Sequence, residues 1–205
     1  MSHNTLIHRI VRPAVRMAAK TGITPNHLTT ARLATGLAAA AAFAVGANSW
    51  MALGGVIFLI SMLLDRADGE LARQTRQSSL AGHRYDLASD CIASMAAFVG
   101  LGFGLAHENG SLGFGLGLLA GLGIGVLFLE LNVLKIASVG GLELFDGRLT
   151  IDPDDALIFV PVLIWCGLAW PMVITASVVT PLAAVAVGVL WRVRTSGEAT
   201  LDGDL

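Results

Sequence analysis

The chain has 205 residues, of which 55% are hydrophobic and 14% charged, with a mean hydropathy of +0.72. Soluble domains usually contain about 25% charged residues, so the composition excludes an ordinary soluble domain. A net charge of −2 gives no support to a basic nucleic-acid binder, and we expect no nucleic-acid partner. Glycine is abundant (24 residues) and proline is scarce (6 residues), which excludes a disordered chain. The length is better interpreted as several membrane-spanning helices of about 20 residues each.

The first predicted element is an amphipathic helix over residues 1–22. Basic side chains recur there every three or four residues, opposite apolar ones (Arg9, Arg12, Arg16 and Lys20 against Ile7, Ile10, Val11, Ala14 and Met17). This pattern is typical of a helix that lies in the membrane interface. Pro13 predicts a kink or a new helix start within it.

Six apolar runs follow the amphipathic segment, and each is a predicted membrane span. They cover residues 28–47, 50–71, 87–106, 111–134, 156–170 and 171–190. Short turns after the first, third and fifth runs indicate antiparallel neighbours. Glycine-rich stretches at 113–117 and 121–125 predict close helix packing in lipid. We therefore expect an all-α membrane protein of six transmembrane helices, forming one domain over residues 1–205 with a cytoplasmic tail at 195–205.

The positive charges predict the orientation of the chain. All 13 lysines and arginines lie on one side of the six predicted spans, and the three short turns carry none. By the positive-inside rule, both termini and the two long loops are cytoplasmic. We expect a multi-pass protein of the cytoplasmic (inner) membrane.

Four aspartates lie where the second predicted span ends and the third begins. Ionisable groups within spans are costly, which makes them functional candidates. Asp65 and Asp68 are three residues apart, and Asp86 and Asp90 are four apart, so each pair shares one helix face. Because a short loop joins the two helices, we expect them to be antiparallel neighbours. The four carboxylates then converge at the cytoplasmic end.

Four carboxylates that converge on one pocket repel one another unless a cation neutralises them. Oxygen ligands without nearby histidine or cysteine favour a hard ion such as Mg²⁺, Mn²⁺ or Ca²⁺, and Mg²⁺ most often works with phosphates. Small residues at Gly69, Ala72 and Gly82 leave room for a ligand beside the backbone, and Arg73 is placed to hold a phosphate. The alternative, charges that merely mark the membrane boundary, does not explain the helical spacing of the aspartates.

These residues together resemble the signature of the CDP-alcohol phosphatidyltransferase family. The pattern reads Asp65-x2-Asp68-Gly69-x2-Ala72-Arg73-x8-Gly82-x3-Asp86-x3-Asp90. It matches in residue type and spacing at all eight specified positions and covers 26 residues. The segment 24–32, TPNHLTTAR, is also similar to the one that opens the first span in many members.

The resemblance implies transfer of a phospho-alcohol from a CDP-alcohol to an acceptor hydroxyl, with release of CMP. It also implies six transmembrane helices, an amphipathic helix before them and a homodimer. Asp65, Asp68 and Asp86 occupy metal-binding positions for Mg²⁺ or Mn²⁺, with two ions expected. Asp90 matches the proposed general base and, with Asp86, a ligand of the second ion. The positions expected to bind the nucleotide are Gly69, Ala72, Arg73, Gly82, Asn26 and Arg32.

The motif leaves both substrates open. CDP-diacylglycerol is the expected donor, in phospholipid biosynthesis among membrane lipids, and a soluble donor such as CDP-inositol is the alternative. A phosphorylated acceptor, such as glycerol 3-phosphate or inositol phosphate, needs two or three cations. The candidates are Arg76, Arg84, Lys135 and Arg148, which the positive-inside rule also explains.

Two other classes of function fit parts of this sequence. An ion-coupled transporter also uses intramembrane carboxylates, although transporters usually place them near the bilayer midplane, and these lie at the inner edge. A catalytically inactive scaffold would not require the complete signature.

Overall fold

The computed structural model describes residue 13 and residues 15–133, 142–144, 149–151 and 157–201, with side chains at 13, 15–132 and 157–192. Within that part, the chain is helical apart from one small antiparallel hairpin. Its strands, β1 (Leu142–Leu144) and β2 (Leu149–Ile151), pair Glu143 with Thr150. The hairpin departs from the all-α expectation and lies in the predicted loop between the fourth and fifth spans.

Three helices carry the predicted motif. Helix α1 covers Pro25–Ala44 and begins at a proline, which is favoured at the first helical position. Helix α2 covers Asn48–Thr75, and α3 covers Leu80–Asn109. Ser79 caps α3, since its Oγ accepts a hydrogen bond of 3.0 Å from the amide of Gly82. Because α2 ends only five residues before α3 begins, the two aspartate pairs lie at the same end of the bundle.

The remaining helices complete the bundle. Helix α4 covers Ser111–Phe128 and continues into a π-helical turn at Leu129–Val133. Helix α5 covers only Phe159–Trp165, and α6 covers Ala169–Leu201. Gly110 alone separates α3 from α4, as expected for a tight turn, and its φ of 62° suits glycine. The last turn lies at residues 166–168, slightly earlier than predicted.

Helix α1 packs closely against both α2 and α3. At Gly100 and Gly104, a side chain on α3 would collide with the backbone of Ala40 and Phe43 on α1. The backbones of α2 and α3 hardly approach within 8 Å of each other. The structure thus differs from the simple pairing expected from the short loop: both motif helices take α1 as their packing partner.

The glycine-rich stretches of α4 do form close contacts, as predicted. Gly113 and Gly117 lie against α3, where Gly102 faces Gly117. Gly123 faces Thr180 and Pro181 of α6. Without a hydrophobic driving force between helices in lipid, such close approach supplies much of the packing energy.

Apolar side chains fill the space between the helices. Phe43, Leu101 and Val173 are among the fully buried ones in the main cluster. A smaller cluster lies near the motif, where Val15 is buried against Ala67 and Leu71 of α2. Most of the predicted amphipathic helix, residues 1–12 and 14, lies outside the described residues.

Four of the described helices are long and apolar enough to cross a membrane: Asn48–Thr75, Leu80–Asn109, Ser111–Asn132 and Ala169–Arg192. They correspond to the second, third, fourth and sixth predicted spans. The first predicted span is a helix of 20 residues, but its polar opening turns and many alanines make it less apolar. The fifth is a helix of only 7 residues. Helix α6 runs to Leu201, so the predicted tail begins within it.

Candidate metal and nucleotide site

Three of the four predicted aspartates form a compact cluster. One carboxylate oxygen each from Asp65, Asp68 and Asp86 lies within 4.8 Å of the other two. Asp68 is 4% exposed, and the other two are half-buried. The i, i+3 spacing on α2 turns Asp65 and Asp68 to one face, and the capped start of α3 brings Asp86 opposite them. The prediction that these carboxylates meet is confirmed for this trio.

The cluster has the chemistry of a divalent-cation site. Its donors are all carboxylate oxygens, which suit a hard ion such as Mg²⁺ or Mn²⁺. Asp86 Oδ1 is buried and has no hydrogen-bond partner among the described residues. A buried carboxylate oxygen without a donor is costly, and a cation held by the trio would satisfy it. The residues present therefore fit such an ion.

Helix α1 contributes a hydroxyl that the sequence analysis did not single out. Thr29 Oγ1 donates a buried hydrogen bond of 2.7 Å to Asp68 Oδ2. This bond fixes the orientation of one carboxylate of the cluster. A signal was available in the sequence, because Thr29 lies three residues before Arg32 and therefore on the same helix face.

Asp90 lies outside the trio and is paired with Arg32 of α1. The guanidinium Nη2 of Arg32 contacts Asp90 Oδ1, and its Nε lies 3.3 Å from Asp65 Oδ1. Arg32 is 6% exposed. Ser61 of α2 donates a hydrogen bond of 2.8 Å to the carbonyl of Arg32 and so ties α1 to α2 at this level. Arg32 thus bridges the aspartate trio and the predicted base.

Three of the residues predicted to bind the nucleotide, Gly69, Ala72 and Arg73, follow Asp68 on α2. A Cβ at Gly69 would meet only Arg73 Nη1, at 3.7 Å, so this face is open. Arg73 Nη2 donates a hydrogen bond of 2.9 Å to Glu70 Oε2, which holds the guanidinium near Gly69. Ala72 is half-buried beside them.

Asn26 and Gly82 are brought together from two helices. A Cβ at Gly82 would lie 3.2 Å from Asn26 Oδ1, a tight contact. Nearby, the hydroxyls of Thr30 and Tyr85 lie 2.9 Å apart and link α1 to α3. The sequence analysis did not identify this contact, in which Tyr85 is the residue directly before Asp86.

The structure describes two of the four predicted acceptor cations, Arg76 and Arg84. Arg76 and Arg84 are exposed. Arg76 ends α2 in a left-handed conformation with φ 56°. Neither lines the cavity of about 250 Å³ that adjoins Asp65 and Asp90. Lys135 and Arg148 lie outside the described residues.

Comparison with known proteins gives one curated relative, the inner membrane protein YnjF of Escherichia coli (strain K12). It is 36% identical over 129 residues, which is 62% of this chain and 60% of the relative. The chain thus matches less than two thirds of that relative's length. Together with the four apolar helices, this likeness supports an integral membrane protein.

Solved structures of Mycobacterium tuberculosis phosphatidylinositol phosphate synthase (PgsA1) share the fold. The apo form matches with a TM-score of 0.64 and 22% identity, over 87% of this chain and 92% of that one. The form with CDP-DAG bound matches with a TM-score of 0.64 and 23% identity, over 92% of both chains. The complex with manganese and citrate matches with a TM-score of 0.62 and 22% identity, over 90% of this chain and 86% of that one.

The sequence profile of a whole family matches nearly the entire described bundle. The match covers residues 22–190 and includes every residue of the aspartate motif. The converging carboxylates, the shared fold and this match agree, and the chain belongs to the CDP-alcohol phosphatidyltransferase family.

Proposed function

We propose that this protein transfers a phosphatidyl group from CDP-diacylglycerol to an acceptor hydroxyl and releases CMP, in a reaction that requires Mg²⁺ or Mn²⁺. The observation that carries the proposal is the trio of carboxylate oxygens within 4.8 Å of one another, beside the Asp90–Arg32 pair. Family membership supports the reaction class. The likeness to a synthase solved with CDP-DAG and with manganese supports the donor and the ion.

Asp65, Asp68 and Asp86 would hold the metal, and Asp86 and Asp90 would share a second ion. Such ions, when bound, neutralise pyrophosphate charge and make CMP a better leaving group. The open face at Gly69 lets the donor approach the α2 backbone. Arg73, together with Asn26 beside Gly82, would orient the phosphates and the cytidine.

Asp90 would act as the general base. Its carboxylate removes the proton from the acceptor hydroxyl, whose oxygen forms a bond to the phosphorus that carries the diacylglycerol. The bond from that phosphorus to the bridging oxygen breaks, and CMP leaves with this oxygen. The products are the phosphodiester, CMP and one proton. Arg32 keeps Asp90 oriented, because the guanidinium contacts both Asp90 and Asp65.

The finer architecture is part of the proposal. We infer six membrane-crossing helices, with α1 and the α5 region completing the bundle, after an amphipathic N-terminal helix. The lysines and arginines lie on one side of the predicted spans, which supports cytoplasmic termini and an active site at the cytoplasmic face of the inner membrane. The name of the Escherichia coli relative supports the inner membrane as the location. A homodimer follows from the family resemblance alone. CDP-inositol remains the alternative donor, and a phosphorylated acceptor would require cations at the cavity.

The direct test is CMP release by the purified protein with CDP-diacylglycerol, Mn²⁺ or Mg²⁺ and a panel of acceptors. We expect Asp90→Asn to abolish CMP release while CDP-diacylglycerol still binds. Glu108→Gln is the matched control, because Glu108 is an exposed carboxylate near the opposite end of α3. Normal CMP release by Asp90→Asn would show that the assigned base is wrong. Metal-independent release by the unaltered protein would reject the metal assignment.

A further inference from the structure

The guanidinium of Arg73 is anchored at one of its nitrogens. Nη2 donates a hydrogen bond of 2.9 Å to Glu70 Oε2, and a Cβ at Gly69 would lie 3.7 Å from Nη1. The guanidinium therefore lies beside Gly69, next to the face of α2 that carries Asp65 and Asp68. The Arg73 side chain is 43% exposed, so a ligand on the open face at Gly69 can reach it.

Glu70 is the buried member of this ion pair. Its side chain is 11% exposed, against 43% for that of Arg73. Ala67, one turn earlier on α2, is buried against Val15, so this side of the helix is packed against protein. A buried carboxylate is costly unless its oxygens accept hydrogen bonds. Both oxygens of Glu70 accept one.

Gln74 holds the Glu70 carboxylate from the second side. Its Nε2 donates a hydrogen bond of 2.9 Å to Glu70 Oε1. Residues three and four apart on a helix are surface neighbours, so both Arg73 and Gln74 reach the acid from the next turn. With one oxygen engaged by each partner, the carboxylate cannot rotate without losing a hydrogen bond. The amide thus orients the carboxylate, and the carboxylate orients the guanidinium.

This arrangement differs from an ordinary ion pair on a helix surface. In such a pair both partners are in water, and the contribution to stability is small. Here the acid is buried and the base is exposed, so the acid acts as a fixed support for the base. An unanchored arginine side chain samples many rotamers, including those that turn toward the aspartate trio and compete with the divalent ions assigned there.

An anchored guanidinium has a direct advantage for binding a pyrophosphate. The divalent ions supply most of the countercharge, and the guanidinium adds N–H donors in a fixed fork that fits phosphate oxygens. A donor group that is already ordered binds its ligand more tightly, because no side-chain entropy is lost on binding. The contact with Glu70 thus favours the conformation of Arg73 that a phosphate at Gly69 requires.

We propose that Glu70 is a positioning residue of the donor site, whose buried carboxylate fixes the Arg73 guanidinium beside Gly69 for the pyrophosphate of the CDP-alcohol. Gln74 supports the same carboxylate. The inference rests on the proposed transferase function and adds a residue to its donor site. Because Glu70 acts through Arg73, its contribution to donor binding disappears when Arg73 is removed.

The test is a double-mutant cycle on the Kd of CDP-diacylglycerol for the purified protein loaded with Mn²⁺. We expect Glu70→Ala to raise this Kd about tenfold, since one charge-assisted hydrogen bond is lost, and Arg73→Ala to raise it at least as much. In a protein that already carries Arg73→Ala, Glu70→Ala should change the Kd less than about twofold. The same factor in both backgrounds would overturn the inference.

The affinity for Mn²⁺ separates positioning of Arg73 from general support of the site. We expect the Mn²⁺ Kd of Glu70→Ala, followed by electron paramagnetic resonance, to stay within about twofold of the unaltered protein, because the aspartate trio keeps its ligands. Glu108→Ala, at an exposed position near the far end of α3, is the control for loss of a carboxylate. A rise in the Mn²⁺ Kd equal to the rise for the donor would mean that Glu70 supports the metal ligands, and the inference would fail.

Two milder variants keep the test independent of a change at a buried position. Glu70→Gln keeps the size of the side chain but leaves one oxygen for two donors, and Gln74→Ala releases Glu70 Oε1 from an exposed position. Each should raise the donor Kd about threefold. Gln77→Ala is the matched control, because Gln77 is an exposed glutamine just beyond α2. A donor Kd unchanged in both milder variants would contradict the support of Arg73 by Glu70.

The unaltered protein shows which proposal has failed. Absence of Mn²⁺-dependent binding of CDP-diacylglycerol would reject the transferase function, and this inference with it. Donor binding and CMP release by the unaltered protein, together with independent effects of Glu70→Ala and Arg73→Ala, would reject only the role of Glu70.

Discussion

At the residue scale, two side chains of α1 connect the aspartate trio to the predicted base. Thr29 Oγ1 donates to Asp68, while Arg32 pairs with Asp65 and Asp90. Arg32 is predicted to bind the nucleotide, and the structure places it between Asp65 and Asp90. A guanidinium with several fixed donors can hold two carboxylates at once. It therefore orders the site before any substrate binds.

The hydroxyl of Thr29 should matter for metal affinity. We expect Thr29→Val to raise the Mn²⁺ dissociation constant by about 10–100-fold, because removal of a hydrogen-bond partner from a metal ligand costs about that much. Binding can be followed by the electron paramagnetic resonance signal of free Mn²⁺. Thr35→Val is the control, since the Thr35 hydroxyl donates to the carbonyls of Ala31 and Arg32 on its own helix. Equal affinities for both variants would refute a role for Thr29 in orienting Asp68.

At the scale of elements, the close packing of α1 against α3 sets the position of Thr29 and Arg32. Gly100 permits this approach because the backbone of Ala40 occupies the space where its Cβ would be. The small residues of α4 act in the same way against α3 and α6. Glycine at these positions allows the helices to approach closely, although it has a low intrinsic helix propensity.

Replacing Gly100 with alanine should separate α1 from α3. We expect Gly100→Ala to destabilise the protein by about 1–3 kcal/mol, the usual cost of overpacking. It should also lower the rate of CMP release by more than the loss of folded protein accounts for, because Arg32 shifts away from Asp90. Thermal unfolding in detergent, read beside the CMP assay, measures both effects.

Gly115→Ala provides the comparison for Gly100→Ala. A Cβ at Gly115 meets nothing within 4 Å, so alanine there should be neutral or should stabilise the helix by about 0.5–1 kcal/mol. Equal unfolding midpoints for the two variants would mean that the α1–α3 contact tolerates a wider spacing than the structure has.

At the scale of the whole molecule, the aspartates lie at one end of the bundle and the α5–α6 turn lies near the other. Trp165 Nε1, at the end of α5, donates a hydrogen bond of 3.1 Å to the carbonyl of Ala52. Ala52 precedes Asp65 by about 20 Å along α2. Cys166, next to Trp165, is exposed and is not in a disulfide.

Cysteine labelling therefore tests the orientation of the molecule. With Cys91→Ser, a membrane-impermeant maleimide should label Cys166 in right-side-out vesicles and leave it unlabelled in sealed inside-out vesicles. A cysteine-free background with Gln77→Cys, in the exposed α2–α3 loop, should show the opposite pattern. The reverse result for both positions would place the aspartates on the outer face of the membrane.

Several features followed from the sequence alone. Spacings of three and four residues on a helix determine which carboxylates share a face, so the pairs Asp65–Asp68 and Asp86–Asp90 were predictable. The eight-residue signature indicated the family, and the family profile confirms it. The apolar runs predicted six membrane spans, and four of them are described helices that are long and apolar enough to cross a membrane. Each of these features depends on local periodicity or composition.

Only the tertiary structure decided how the helices combine. Local periodicity does not say that α1 packs against both motif helices, nor that Arg32 pairs with Asp90 across a separation of many residues. It likewise does not reveal the apolar cavity, whose wall comes from distant parts of the chain. These features arise because glycines let particular backbones approach and because buried charges need partners from whichever helix lies next to them.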